Sequence, residues 1–176
     1  MTALRIKFSD LKLFSFLLLM QAPQVQVWGP ALWSLFHALA EKAGQRPRIE
    51  SEEKRLWRQF LLSLRAVIPC PACQKHYNDY IKIHSWTPVL EGEGWGSRIK
   101  HWFWEFHNAV RSSKGQPLEF EEGQLATAYT RSKADLVPFK QIWTEHMRRG
   151  LALHLLTRDD MQRSLRFLEE LILLIF

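Results

Sequence analysis

The two cysteines of the chain, Cys70 and Cys73, lie in the segment IPCPACQKHY, where His76 and Tyr77 follow them. A pair at this spacing can be half of a zinc site, a thioredoxin-like redox pair, or a disulfide that exchanges electrons with a neighbouring group. A disulfide between them closes a very small ring, which constrains the unfolded chain little. Stability alone is therefore a poor reason for the pair, and the spacing indicates reactivity.

Sequence context separates these three chemistries. A structural zinc site normally takes four ligands, and no second paired motif accompanies this one. A thioredoxin fold places its pair after a β-strand, and no such strand is readable here. A disulfide at a helix start is favoured, because Pro71 fits a first helical turn and puts Cys73 near free N–H groups that stabilise a thiolate. His76 and Tyr77 would share its helix face, although a polar edge and a core ring explain them equally well.

Two further segments combine tryptophan with histidine. WGPALWSLFH contains Trp28, Trp33 and His37, and HWFWEFHNAV contains Trp102, Trp104, His107, Asn108 and Val110. Each aromatic stripe taken alone is more typical of a hydrophobic core. Together with the cysteine pair they favour a flat aromatic ligand, because rings provide stacking walls and His and Asn provide directional hydrogen bonds. Such a ligand beside a disulfide suits a redox cofactor.

The order W-G-P-x-x-W-x-x-x-H, C-x-x-C-x-x-H-Y and W-x-x-x-x-H-N-x-V, closing in G-x-P, resembles the Erv/ALR family of FAD-linked sulfhydryl oxidases over about residues 28–117. The WGP opening is similar to the short versions carried by large DNA viruses. The resemblance implies an enzyme that forms disulfides in a dithiol protein, such as a thioredoxin-like shuttle, and passes the electrons through FAD to oxygen, giving hydrogen peroxide. It also implies a homodimer.

The resemblance assigns roles to individual residues. Cys73 would be the sulfur next to the flavin, and Cys70 the outward sulfur that exchanges with the substrate. The residues that would bind the cofactor are Gly29, Trp33, His37, His76, Tyr77, Trp102, His107, Asn108, Val110, Arg111 and Lys114.

The chain departs from the family pattern in two respects. Arg111 stands where Asn is usual, Lys114 where an apolar residue is usual, and Gln116 where Lys is usual. We expect Arg111 and Lys114 to supply the positive charge that the pyrophosphate of FAD needs. The chain also has no second cysteine pair, so its substrate is expected to deliver electrons directly to Cys70.

Composition limits the alternatives. The net charge is +6, but 24 basic residues are scattered among 18 acidic ones without an RNA-binding signature, so we expect no nucleic-acid partner. Membrane binding is not expected from the terminal LILLIF, because Glu169 and Glu170 precede it. The sequence leaves the compartment open, including the cytoplasm or a viral compartment. The alternative function is a non-catalytic helical interaction module with a structural or zinc-binding CxxC.

The elements that must position these residues are helical. Apolar residues recur at helical spacing, and no run alternates as a half-buried strand does. We expect the first helix to begin at Pro30 and end at Gly44, the third to begin at the cysteines, and Ser51 and Ser97 to cap the second and fourth. A short helix follows residue 118, and longer ones span about 136–156 and 159–175.

The predicted fold is all-α, and the resemblance implies a four-helix bundle with a short fifth helix, here with a helical C-terminal extension. Three regions are predicted: an apolar N-terminal extension (1–23), the sulfhydryl oxidase-like domain (24–131) and the C-terminal extension (132–176). The apolar run of the first region is too short to span a bilayer. It has about the length of a signal-peptide core, but Asp10 precedes it and MQA is a poor cleavage site. We therefore expect a helix that packs on the body, or an upstream segment before a natural start at Met20, rather than a secretion signal.

Overall fold

The computed structural model describes residues 22–176, and this part of the chain folds into α-helices without a β-strand. The predicted all-α class is therefore confirmed, while the four-helix bundle arrangement stays a prediction. The predicted N-terminal extension lies outside the described residues except for its last two. The helices are α1 (Val25–Lys42), α2 (Glu50–Val67), α3 (Pro71–Ile83), α4 (Trp95–Ser112), α5 (Leu125–Tyr129), α6 (Leu136–Ala152) and α7 (Arg158–Ile175), and short 3₁₀ helices span Pro47–Ile49, Pro88–Leu90 and Glu122–Gln124.

Helix α1 begins earlier than its sequence predicts. It starts at Val25, so the expected start at Pro30 is wrong by five residues. The carbonyl of Gln24 accepts hydrogen bonds from the N–H groups of Val27 and Trp28, which forms a first turn ahead of the proline. Pro30 is exposed and removes a single backbone donor, so the helix continues through it.

The two serines expected as N-caps are not caps. Helix α2 begins at Glu50, directly after a 3₁₀ turn, and no side chain caps it. Helix α4 begins at Trp95 after Gly94, whose φ of 68° only glycine adopts easily. Ser51 and Ser97 therefore lie inside the first turns. Local turn geometry, and not a side-chain cap, decides where both helices start.

One hydrophobic core joins the long helices. Leu35 of α1, Trp57 of α2 and Phe103 of α4 are fully buried in it. Helix α6 packs on α1, and α7 packs on α2, which brings Trp143 and Leu168 into the same core. The C-terminal helices thus extend the core that positions the three sequence motifs of α1, α3 and α4.

Helices α1 and α4 meet through glycine. Gly44 follows α1 with a φ of 70°, as expected for the residue that ends this helix. A Cβ added at Gly96 would overlap the carbonyl oxygen of Ala43 and lie 2.9 Å from its carbonyl carbon. The backbones therefore pack without an intervening side chain, which fixes the end of α1 against the start of α4.

Among residues 22–176, none of the helices combines the length and the apolar character needed to cross a lipid bilayer.

Candidate active site

The cysteine pair lies at the N-terminus of α3. Cys70 is the N-cap residue, Pro71 is the first helical residue, and the two sulfurs are bonded to each other. The backbone N–H of Cys73 donates to Sγ of Cys70 at 3.2 Å. The predicted helix start is confirmed, but the amide donor contacts Cys70 and not Cys73. Because an N–H donor favours a negatively charged sulfur, this geometry favours a thiolate on Cys70 once the disulfide opens.

A cavity of about 720 Å³ adjoins the disulfide, which is within the usual size of a small-molecule site. Cys73 lies on its wall, whereas Cys70 does not. The predicted site residues that line it are Gly29, Trp33, Cys73, His76, His107, Val110, Arg111 and Lys114. Side chains from α1, α3 and α4 thus surround one cavity, and the disulfide sulfur of Cys73 lies at its edge.

Imidazole and aromatic rings form one wall of the cavity. The ring of Trp33 stacks on His107 with centroids 4.1 Å apart. Behind them, Nε2 of His37 lies 3.1 Å from Nδ1 of His107, and His37 stacks on Tyr129 at 4.4 Å. The ring of His107 is therefore held by stacking on Trp33 and by the buried hydrogen bond with His37.

Both histidines of this wall are held neutral. Burial lowers the pKa of His37 to about 4. Burial lowers the pKa of His107 to about 3, and the positive charges of a protonated His37 and of Arg111 and Lys114 act in the same direction. Near neutral pH one ring therefore donates its N–H to the other, and the 3.6 Å approach of Glu119 to Nε2 of His107 is not an ion pair.

The neutral histidines predict a loss of stability in mild acid. Their pKa values lie below the value of about 6.5 in the unfolded chain, so the unfolded state binds more protons as the pH falls. Their contribution is complete above that value and is lost on acidification towards pH 4. Between pH 7 and pH 5 we expect the free energy of unfolding to fall by about 2 kcal/mol for each histidine.

Urea unfolding of the wild type and of His37→Gln at these two pH values measures this loss. The variant should lose about 2 kcal/mol less on acidification than the wild type. His154→Asn, at an exposed position whose φ of 56° asparagine tolerates, serves as the control and should follow the wild type. An unchanged pH dependence in His37→Gln would show that His37 is not a neutral buried group.

Four of the residues predicted to contact the cofactor do not line the cavity. Besides His37, Tyr77 is buried and donates from its hydroxyl to the carbonyl of Leu61 at 2.7 Å, and Trp102 donates from Nε1 to the carbonyl of His84 at 2.9 Å. Asn108 keeps a buried Nδ2 that has no hydrogen-bond partner among the described residues. Their assignment as cofactor contacts stays a prediction.

Positive charge collects at one end of the cavity. Arg111 donates from Nε to the carbonyl of Pro117 at 2.7 Å and from Nη1 to Glu119 at 3.0 Å, and Lys114 and Arg131 also line the cavity. Three cations face one carboxylate there, which favours an anionic group. The hypothesis that Arg111 and Lys114 replace the usual lysine is consistent with this placement.

Sequence reasoning missed several lining residues. Phe106 completes the apolar wall, and Glu119, Phe120, Tyr129 and Arg131 arrive from the segment after α4. The available signal was the aromatic and basic pair at the end of the short fifth helix, in ATAYTRS. That helix packs on α1, a contact that its spacing in the sequence does not reveal.

Comparison with known protein families identifies the family to which this chain belongs. The model of the Erv1 / Alr family matches residues 30–130, which is more than half of the chain. The chain belongs to the Erv1/Alr family. The resemblance seen in the three sequence motifs is thereby confirmed.

Relatives within the Erv1/Alr family include viral and cellular proteins. Among the viral relatives named "Putative FAD-linked sulfhydryl oxidase", 347L of Invertebrate iridescent virus 6 is 30% identical over 94 residues, and 096R of Invertebrate iridescent virus 3 is 27% identical over 92 residues. The mitochondrial FAD-linked sulfhydryl oxidase ERV1 of Saccharomyces cerevisiae is 27% identical over 95 residues.

The extent of these matches differs among the relatives. They cover 52%, 52% and 54% of this chain, and 83%, 59% and 47% of 347L, 096R and ERV1 respectively. The chain thus spans less than two thirds of the length of 096R and of ERV1. No solved structure matches the chain significantly. Helices α6 and α7 lie beyond the part that the family model matches.

Proposed function

We propose that this Erv1/Alr-family chain is an FAD-dependent thiol oxidase that forms disulfides in a dithiol protein and passes the electrons to oxygen. The observation that carries the proposal is the position of Cys73. This residue belongs to the disulfide and also lines the cavity, one wall of which Trp33 and His107 form. One sulfur of an exchangeable pair therefore borders a space of cofactor size. The names of the relatives 347L, 096R and ERV1 support FAD as the occupant.

The residues of the cavity fit FAD. Flat apolar walls suit an isoalloxazine, and the cationic end at Arg111, Lys114 and Arg131 suits a pyrophosphate. The indole ring of Trp28, another lining residue, adds a further flat surface to this wall. When bound, FAD accepts an electron pair from thiols and transfers it to oxygen.

Cys70 is the sulfur that a substrate thiolate attacks in the proposed reaction. The new bond joins the substrate sulfur to Cys70, and the bond that breaks releases Cys73 as a thiolate at the cavity wall. The second substrate thiol then attacks the mixed disulfide, leaves as an oxidised substrate, and releases Cys70, whose thiolate the N–H of Cys73 favours. The pair returns to the disulfide by giving up two electrons at the cavity. The net reaction converts one dithiol and one O₂ into one disulfide and one H₂O₂.

The partners follow from the cysteine content of this chain. Cys70 and Cys73 are its two cysteines, so no second pair within it can carry electrons to the site. The proposed substrate is therefore a protein dithiol that reaches Cys70 directly, such as a thioredoxin-like shuttle. A homodimer is proposed on the family resemblance alone.

Flavin content and oxygen consumption test the proposed function. The purified protein should be yellow, carry FAD, and consume oxygen on addition of a dithiol while producing an equal amount of peroxide. A colourless protein that holds stoichiometric zinc would instead support the alternative, a helical interaction module. Within the described residues, no three His, Cys, Asp or Glu side chains are grouped closely enough to hold a metal ion.

A further inference from the structure

Helix α6 contacts the cavity wall from outside the cavity. Trp143 is completely buried, and its ring centroid lies 5.4 Å from that of Trp28, whose side chain lines the cavity. No residue of α6 lines the cavity itself. The helix therefore contacts the wall from behind, through the ring of Trp143.

The same helix anchors the beginning of α1. Nδ1 of the buried His146 accepts a hydrogen bond from the backbone N–H of Gln24 at 3.1 Å. Gln24 is the N-cap residue of α1, and Val25, Trp28 and Gly29 of the cavity wall follow it. The bond to His146 therefore ties the N-cap residue of α1 to α6.

One turn further along, α6 contacts the segment that carries the disulfide. A Cβ added at Gly150 would lie 2.8 Å from Cβ of Pro69 and 3.1 Å from Cδ2 of Leu156. Pro69 directly precedes Cys70, the N-cap of α3. Glycine inside a helix destabilises it by about 0.5–1 kcal/mol relative to alanine, so its presence in α6 reflects the close approach to Pro69.

We propose that α6 sets the spacing between the cavity wall and the disulfide, with His146 and Gly150 as positioning residues for the two sides. One rigid helix touches Trp28 and Gln24 on the wall side and Pro69 on the disulfide side. Its position therefore determines how closely Cys73 approaches whatever occupies the cavity. The inference rests on the proposed function and assigns a role in it to a helix outside the family match at residues 30–130.

The disulfide side is tested with Gly150→Ala, which favours the helix but forces Pro69 to move. We expect FAD to remain bound while the anaerobic rate of flavin reduction by excess dithiol falls about tenfold, because a misplacement of about 1 Å can slow a reaction about 100-fold and this shift is smaller. Gly123→Ala is the matched control, since a Cβ there meets nothing within 4 Å, and it should react as the wild type does.

The cavity side is tested with a pair of variants at His146. His146→Leu removes the acceptor for the Gln24 N–H and should weaken FAD affinity about tenfold, measured by quenching of flavin fluorescence. His146→Asn places an acceptor near the position of Nδ1 and should restore affinity. A His146→Leu protein with a lower melting temperature but unchanged FAD affinity would reduce the role of His146 to stability and overturn the inference.

A measurement on the wild type needs no variant to fold. Adding FAD to the apoprotein should slow hydrogen exchange in α6, although no residue of this helix lines the cavity. An exchange rate in α6 that is the same with and without FAD would contradict the inference, even if the variants failed to fold. A wild type that binds no flavin would defeat the proposed function itself, whereas a flavin-binding, active wild type with insensitive α6 would defeat the inference alone.

Discussion

Cys70→Ser is expected to abolish dithiol-driven oxygen consumption, with a fall of at least about 10³-fold, while the protein keeps its flavin. Without Sγ at this position no disulfide exists, so a substrate thiolate has no sulfur to attack and cannot release Cys73. Flavin is retained because Cys70 lies off the cavity wall. An oxygen electrode and the flavin spectrum of the same sample measure both quantities.

The control for this variant is Ala72→Ser, which adds the same hydroxyl at an exposed position between the two cysteines. It leaves the disulfide intact and should consume oxygen nearly as fast as the wild type. Oxygen uptake by Cys70→Ser at the rate of Ala72→Ser would show that electrons reach oxygen without the disulfide, and the proposed route would be wrong.

Gly96→Ala is expected to lower the free energy of unfolding by about 3 kcal/mol or more, a large loss for the addition of a single methyl group. The new Cβ would overlap the carbonyl oxygen of Ala43, and the Cα of Gly44 would lie 3.3 Å away from it. These are backbone atoms and cannot rotate away as a side chain can. The helices α1 and α4 must therefore separate at this end, which opens the core near Trp95.

Urea unfolding followed by helical circular dichroism measures this effect. Gly123→Ala, with open space around the new methyl, should be neutral or slightly stabilising, by about 0.5 kcal/mol. If Gly96→Ala unfolded at the same urea concentration as Gly123→Ala, the close packing of α1 against α4 would be disproved.

The sequence revealed the parts of the site that local spacing encodes. The cysteines and Pro71 define a helix start within four residues, and the structure has that start. Trp33 and His107 were singled out by residue type, and the structure stacks them at 4.1 Å. Such features can be predicted from the sequence because a helix start or a helix face depends on residues only a few positions away.

Features that depend on distant segments were not readable. Tyr129 of α5 stacks on His37 of α1, although three long helices separate these two residues along the chain. Pro69 meets Gly150 only because α6 packs across α1 near the disulfide segment. No periodicity within either segment records these contacts, since they arise from how helices pack and not from how they form.

The predicted helix boundaries were wrong for a different reason. Ser97 has the side chain of a good cap, but Gly94 in the left-handed region starts α4 three residues earlier. Pro30 is typical of a first helical position, but the carbonyl of Gln24 already forms a turn before it. In both places a backbone conformation competed with a side-chain preference and determined the start.

An anaerobic titration with a dithiol tests most directly whether Cys70–Cys73 feeds a flavin in the adjoining cavity. The flavin absorption band of the purified protein is expected to disappear after two dithiol equivalents per chain, since the disulfide and the flavin each accept two electrons. The double variant Cys70→Ser/Cys73→Ser should resist bleaching over the same time. A wild type whose flavin bleaches no faster than that of the double variant, or one that holds no flavin, would contradict electron transfer from Cys70–Cys73 to a flavin.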